Sequence, residues 1–114
     1  ILFNHSGKNN KIADAIGAIH EYLERGDLND GLIYDAVRVR LIEIGEAVKA
    51  ISPDLLHEAP DIPWGAIARM RDHLAHHYFD TDHAIVQDVV EAELGPLLNA
   101  VRRLVDKVDS DAGA

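Results

Sequence analysis

The residues with the greatest chemical capacity stand together in Arg69-Met70-Arg71-Asp72-His73-Leu74-Ala75-His76-His77-Tyr78-Phe79-Asp80. These twelve positions hold three of the seven histidines, two arginines and a tyrosine. One chemistry open to them is metal binding. His73 with His77, or His73 with His76, can present two imidazoles on one helix face, and Asp80 or Asp82 can add a carboxylate. The segment has no H-E-x-x-H pattern and no second ligand cluster stands elsewhere in the chain, so no metal site is expected. A solvated polar face accounts for any single one of these residues but less well for the cluster. Ile67, Met70, Leu74 and Tyr78 mark the core side of a helix here, and Arg71 projects within about 40° of that side. A charge so placed is normally paired or functional, because burying it alone is costly.

A second chemistry is cleavage of a phosphodiester. A guanidinium grips phosphate through paired donors, and an imidazole can accept or deliver a proton near neutral pH. RNA carries its own nucleophile in the 2′-OH, so this reaction needs neither metal nor cofactor. Arg71, His76 and Tyr78 contain the necessary parts. On one continuous helix, however, Arg71 and His76 splay by about 140°. They can act together only if the helix loosens near His76 or a partner subunit completes the site.

The elements that must position these residues are all helical. Ile12, Ile16, Ile19 and Leu23 form one apolar stripe over Lys11 to Arg25, with Gly26 as a terminator. A second helix spans Gly31 to Ile51. Its main stripe is Ile33, Val37, Leu41, Ile44, Val48 and Ile51, and Leu32, Ala36, Val39 and Ala50 form a second apolar face about 130° away. Two apolar faces indicate a central helix or a subunit interface. Ser52-Pro53-Asp54 reads as a cap followed by proline at the first helical position, opening a short helix to about Glu58. A third long helix is expected from Pro63 to about His77, and another from about Asp82, capped by Asp80 or Thr81. The stripe of that last helix is Val86, Val90, Leu94, Leu97, Val101, Leu104 and Val108. Gly95-Pro96 inside it predicts a kink or a break, because Pro96 lacks an N–H and crowds the carbonyl of Ala92. Short connections favour an all-α, up-and-down four-helix bundle with an additional short helix. It forms one domain over residues 1–114, with 1–10 and 109–114 expected to be flexible.

Composition narrows the function classes. The 114 residues include 11 Lys+Arg and 20 Asp+Glu, a formal net charge of −9. That disfavours broad electrostatic binding of nucleic acid or anionic membrane. The distribution leaves room for a small phosphate site: Arg38, Arg40, Arg69 and Arg71 fall on the second and third long helices. With no cysteine, disulfides, thiolate metal sites and cysteine nucleophiles are excluded. No apolar run suits a membrane span, and a cytoplasmic location is the expectation.

The run Arg71-Asp72-His73-Leu74-Ala75-His76-His77-Tyr78 resembles the R-x4-H-x-Y motif of the HEPN superfamily, in its HepT toxin branch. The resemblance extends to Ile44-Gly45-Glu46-Ala47, to Ile62-Pro63-Trp64 ahead of the motif, and to Tyr78-Phe79-Asp80 before a long final helix. It implies a small helical bundle that forms a homodimer with two motifs at a shared cleft. It further implies a metal-independent ribonuclease toxin that leaves a 2′,3′-cyclic phosphate. Arg71 would bind the scissile phosphate and His76 would move protons. Asp72 fills the polar position after the arginine, where the superfamily accepts Asn, Asp or His. Tyr78 matches the tyrosine that MntA-like nucleotidyltransferase antitoxins modify with AMP in some members. The motif assigns no role to His73 or His77. The alternative expectation is a non-catalytic helical module that binds nucleotide or a nucleotidyltransferase partner.

Overall fold

The computed structural model describes the backbone of residues 11–76 and 79–113 and the side chains of 11–76 and 83–107. Its elements are α1 (Lys11–Arg25), α2 (Gly31–Lys49), α3 (Pro53–Leu56), α4 (Trp64–Ala75), α5 (Phe79–Asp88), a π-helical turn (Val89–Glu93) and α6 (Leu94–Gly113). No strand occurs among the described residues, so the fold is all-α, as the periodicity predicts. The expectations for residues 1–10, His77, Tyr78 and Ala114 lie outside the described residues.

Local chemistry sets most of the boundaries. The α1 stripe buries Ile12, Ile16 and Ile19 completely, joined by Ala15. Asp30 caps α2: its carboxylate accepts from the backbone N–H of Leu32 at 2.9 Å and of Ile33 at 3.4 Å, which meets two of the otherwise unpaired donors of a helix start. Ser52 caps α3, with Pro53 in its first turn. Trp64 anchors the start of α4 by donating its indole N–H to the Ala59 carbonyl at 2.9 Å. Pro63 sits just outside the helix, as its cap. The helix therefore begins one residue later than the proline suggests.

Helix α2 is the centre of the bundle. It packs against α1 on one side and α4 on the other, and buries Val37, Leu41, Ile44 and Val48. Its second apolar face stays open: Leu32 is 83% exposed and Val39 50%.

The irregularity expected at Gly95-Pro96 takes the form of the π turn. Leu94 donates its N–H to the carbonyl of Val89, five residues back. Widening the turn before a proline relieves crowding at the carbonyl that the ring would strike. The chain stays helical through it, and Leu94, Leu97, Val101 and Leu104 enter the core. The α6 backbone continues to Gly113.

Helices α2 and α4 approach closely at Gly45 of α2. A Cβ placed there would stand 2.2 Å from the Cβ of Arg71 and 3.2 Å from its Cα. Gly17 of α1, by contrast, faces open space. Gly45→Ala should therefore destabilise the fold by about 1–3 kcal/mol, as overpacking does. Gly17→Ala should stabilise it by roughly 0.5–1 kcal/mol through helix propensity. Chemical denaturation of the two variants checks this, and equal midpoints would contradict the packing.

Candidate active site

The arginine of the motif lies near the end of α4 and its histidine caps that helix, so the way the helix ends decides their geometry. The helix stops at Ala75, two residues before the sequence-based limit at His77. His76 takes φ −93° and ψ 0°, and its backbone N–H turns to the carbonyls of His73 and Leu74. Tightening of this kind is how a helix end meets its last carbonyls. The helix thus departs from regularity at His76, one of the two ways in which Arg71 and His76 could act together.

Asp72 links the two motif residues. Its backbone carbonyl accepts a hydrogen bond from His76 Nδ1 at 2.5 Å. A carbonyl can only accept, so Nδ1 carries the proton, and a neutral imidazole then holds its lone pair at Nε2. The Asp72 carboxylate accepts from Arg71 Nη1 at 3.2 Å and from Lys49 Nζ at 2.5 Å. On the far side of the guanidinium, Glu46 Oε1 accepts from Arg71 Nη2 at 3.0 Å and from Nε at 3.3 Å. These contacts commit three of the five N–H groups of Arg71. One N–H on each Nη remains, and these two donors can serve a phosphate.

The charges reinforce each other. The hydrogen bonds that Arg71 donates to Glu46 and then to Asp72 raise its pKa above its ordinary value. Hydrogen bonds from Lys49 and then Arg71 hold the Asp72 carboxyl below the usual carboxylate range. Both groups are therefore ionised throughout the neutral range.

Arg69, Asp72, His73 and His76 line an open depression of about 340 Å³. Arg71 is not in its lining. The two catalytic candidates thus share Asp72 but diverge from it, with Arg71 toward α2 and His76 toward the depression. A larger groove of about 530 Å³ between α1 and α2 contains Glu46, Lys11, Asp14, Arg40 and Glu43, but neither motif residue. Among the described residues no three His, Cys, Asp or Glu side chains are placed to hold a metal ion. His77, Tyr78, Asp80 and Asp82 lie outside the described side chains. No described helix is long and apolar enough to cross a membrane.

Sequence reasoning assigned no role to Lys49 and gave Glu46 no contact with Arg71. A signal was present: Arg38, Gly45, Glu46 and Lys49 recur at i, i+7, i+8 and i+11, a polar strip along one flank of α2. Arg38 uses that strip to donate from Nη2 to the carbonyl of Leu74, at the end of α4.

The chain is similar to known proteins along most of its length. The family model described as "Ribonuclease HepT-like" matches residues 12–104. The "Probable ribonuclease HepT" of Thermococcus cleftensis is 35% identical over 97 residues, which is 82% of this chain and 88% of that protein. "Putative RNase MJ0127" of Methanocaldococcus jannaschii is 32% identical over 84 residues, 74% of this chain and 69% of that protein. A second protein of that organism, "Gamma-glutamylcyclotransferase and putative RNase MJ0434", is 29% identical over 106 residues. Those residues are 90% of this chain, which spans about half of that relative (48%). No solved structure is a significant match.

The ion pairs at Asp72 yield a pH prediction. A carboxyl with a depressed folded pKa contributes stability above its unfolded value of about 3.9, and that contribution is lost as the pH falls through the folded value. Asp72→Asn should therefore flatten the acid limb of a plot of urea-denaturation stability against pH, below about pH 4. An unchanged acid limb would show that Asp72 is not held by Lys49 and Arg71 in solution.

Proposed function

The chain belongs to the HepT-like ribonuclease family, and we propose that it is a metal-independent endoribonuclease, the toxin of a toxin–antitoxin pair acting in the cytoplasm. The observation that carries this reading is the arrangement at Asp72. Its carboxylate steadies a permanently charged Arg71, and its carbonyl fixes which nitrogen of His76 is protonated. Arg71 neutralises the scissile phosphate through its two uncommitted donors. His76, with its lone pair at Nε2, takes the proton of the 2′-OH. The 2′-oxygen attacks phosphorus, the bond to the 5′-oxygen breaks, and that oxygen leaves with a proton. The products are a 2′,3′-cyclic phosphate and a 5′-hydroxyl end.

In-line displacement places the attacking and leaving oxygens on opposite sides of phosphorus. One imidazole cannot serve both at once. A homodimer supplies a second His76 as the general acid, and the open face of α2 offers a surface for it. Leu32, Ala36 and Val39 border Glu46 around the helix, so a subunit seated there would also adjoin the Arg71 site. An MntA-like nucleotidyltransferase is the proposed antitoxin, transferring AMP from ATP to the Tyr78 hydroxyl with release of pyrophosphate. The added phosphate brings negative charge two residues from His76 and opposes RNA binding. The alternative, a module that binds nucleotide or that partner without turnover, draws on the two carboxylates that a phosphate meets at Arg71.

Purified protein incubated with RNA in EDTA should yield cyclic-phosphate ends. Arg71→Ala and His76→Ala should each slow cleavage at least about 100-fold and abolish growth inhibition, with unchanged circular dichroism. Full activity in both variants overturns the assignment, and nucleotide binding without cleavage favours the module. Co-expression with the nucleotidyltransferase should add mass in AMP units to a Tyr78-containing peptide, and an unmodified peptide would remove Tyr78 as the target.

A further inference from the structure

The last turn of α4 is closed by donors from two sources. His76 supplies two of them, its backbone N–H to the carbonyls of His73 and Leu74 and its Nδ1–H to the carbonyl of Asp72. Arg38 supplies another from outside the helix, Nη2 to the carbonyl of Leu74. Its guanidinium therefore ties the negative end of α4 to α2, where a cation is electrostatically favoured. Eight residues farther along α2, Glu46 holds Arg71. The two side chains lie roughly 12 Å apart along the helix axis and grip opposite ends of the R-x4-H segment.

We infer that Arg38 is a positioning residue for the cleavage reaction: it holds the terminal turn of α4 against α2 and so sets the His76 imidazole relative to Arg71. The catalytic half of this inference rests on the ribonuclease reading, whereas the structural half stands without it. Without the guanidinium, water takes over the Leu74 carbonyl and the turn loses its tie to α2. The His76 imidazole then leaves the Asp72 carbonyl, and its proton redistributes between the two nitrogens. Arginine suits the task because its planar fork of donors loses less freedom per bond than a lysine does.

Two readouts on the whole chain test this. Long-range 15N–1H spectra report the His76 tautomer, and single-site cleavage kinetics separate kcat from KM. In the wild type the neutral imidazole should be protonated at Nδ1. Arg38→Gln should move at least about half of that population to the Nε2–H form that a free imidazole favours. It should lower kcat about 10-fold or more, as misplacement of a catalytic group does, with KM within about twofold. Arg38→Lys keeps the charge and one donor, and should fall between wild type and Arg38→Gln in both readouts. An unchanged tautomer in a folded Arg38→Gln protein overturns the inference. So does a raised KM at constant kcat, which would make Arg38 an RNA contact instead. If Arg38→Gln fails to fold, Arg38→Lys decides, and a lysine variant equal to wild type in both readouts overturns it. If the wild type cleaves no RNA, the ribonuclease reading fails, while the tautomer still decides whether Arg38 positions His76.

Discussion

Everything at the motif depends on how closely α2 and α4 approach at Gly45. The absence of a side chain there lets the stem of Arg71 lie against the α2 backbone. Separation by even a methyl group would move Arg71 away from Glu46 and Asp72 away from Lys49, because both contacts cross the same helix pair. It would also lengthen the reach from Arg38 to the end of α4. One small residue thus sets the register of three polar contacts, and those contacts orient the groups with chemical capacity. The apolar core supplies the stability: Val37, Leu41 and Ile44 on α2 face a continuous set of buried side chains, with Ile67, Met70 and Leu74 on α4. The core holds the helices together but says little about the rotation of Arg71, which the polar strip decides.

On the proposed reading, the same contacts explain how an acidic chain keeps a phosphate-binding group available. Arg71 and Lys49 meet Glu46 and Asp72, two positive charges against two negative. The tetrad is neutral as a unit despite the formal net charge of −9. Partial exposure of each member keeps the pairs weak contributors to stability. Their effect is orientation, because a guanidinium held on two sides presents only its remaining donors.

Much of the architecture is legible in the residues. The Ile12–Ile16–Ile19 stripe marks α1, and Ser52-Pro53 marks α3, because both signals are local. The core side of α4 follows equally from Ile67, Met70 and Leu74. The end of α4 is less legible. No glycine or proline follows Ala75, and the tightening at His76 depends on carbonyls closed by His76 itself and by a residue of another helix. Pro96 announces an irregularity, but whether the chain breaks or widens depends on the core contacts of Leu94 and Leu97 on either side of it. The partners of Arg71 and Asp72 are the least legible. Glu46 and Lys49 lie more than twenty residues away in sequence, and only the packing of α2 on α4 brings them near. The motif names the reacting groups, and tertiary structure names what holds them.

On the proposed reading, a phosphate arriving at Arg71 meets two carboxylates of unequal standing. Asp72 is also bonded to Lys49, and its backbone carbonyl holds His76, so displacing it disturbs three groups at once. Glu46 bonds Arg71 through a single oxygen, is 54% exposed, and lines a groove into which its longer side chain can withdraw. Release of Glu46 frees the Nε edge of the guanidinium and leaves the Asp72 connection to His76 intact. On that reading phosphate is gripped first by the two uncommitted donors and gains the Nε edge only where Glu46 yields it, whereas the alignment of the imidazole rests on Asp72. On that reading binding and proton transfer draw on different carboxylates, so a weak net attraction for RNA is compatible with an ordered site.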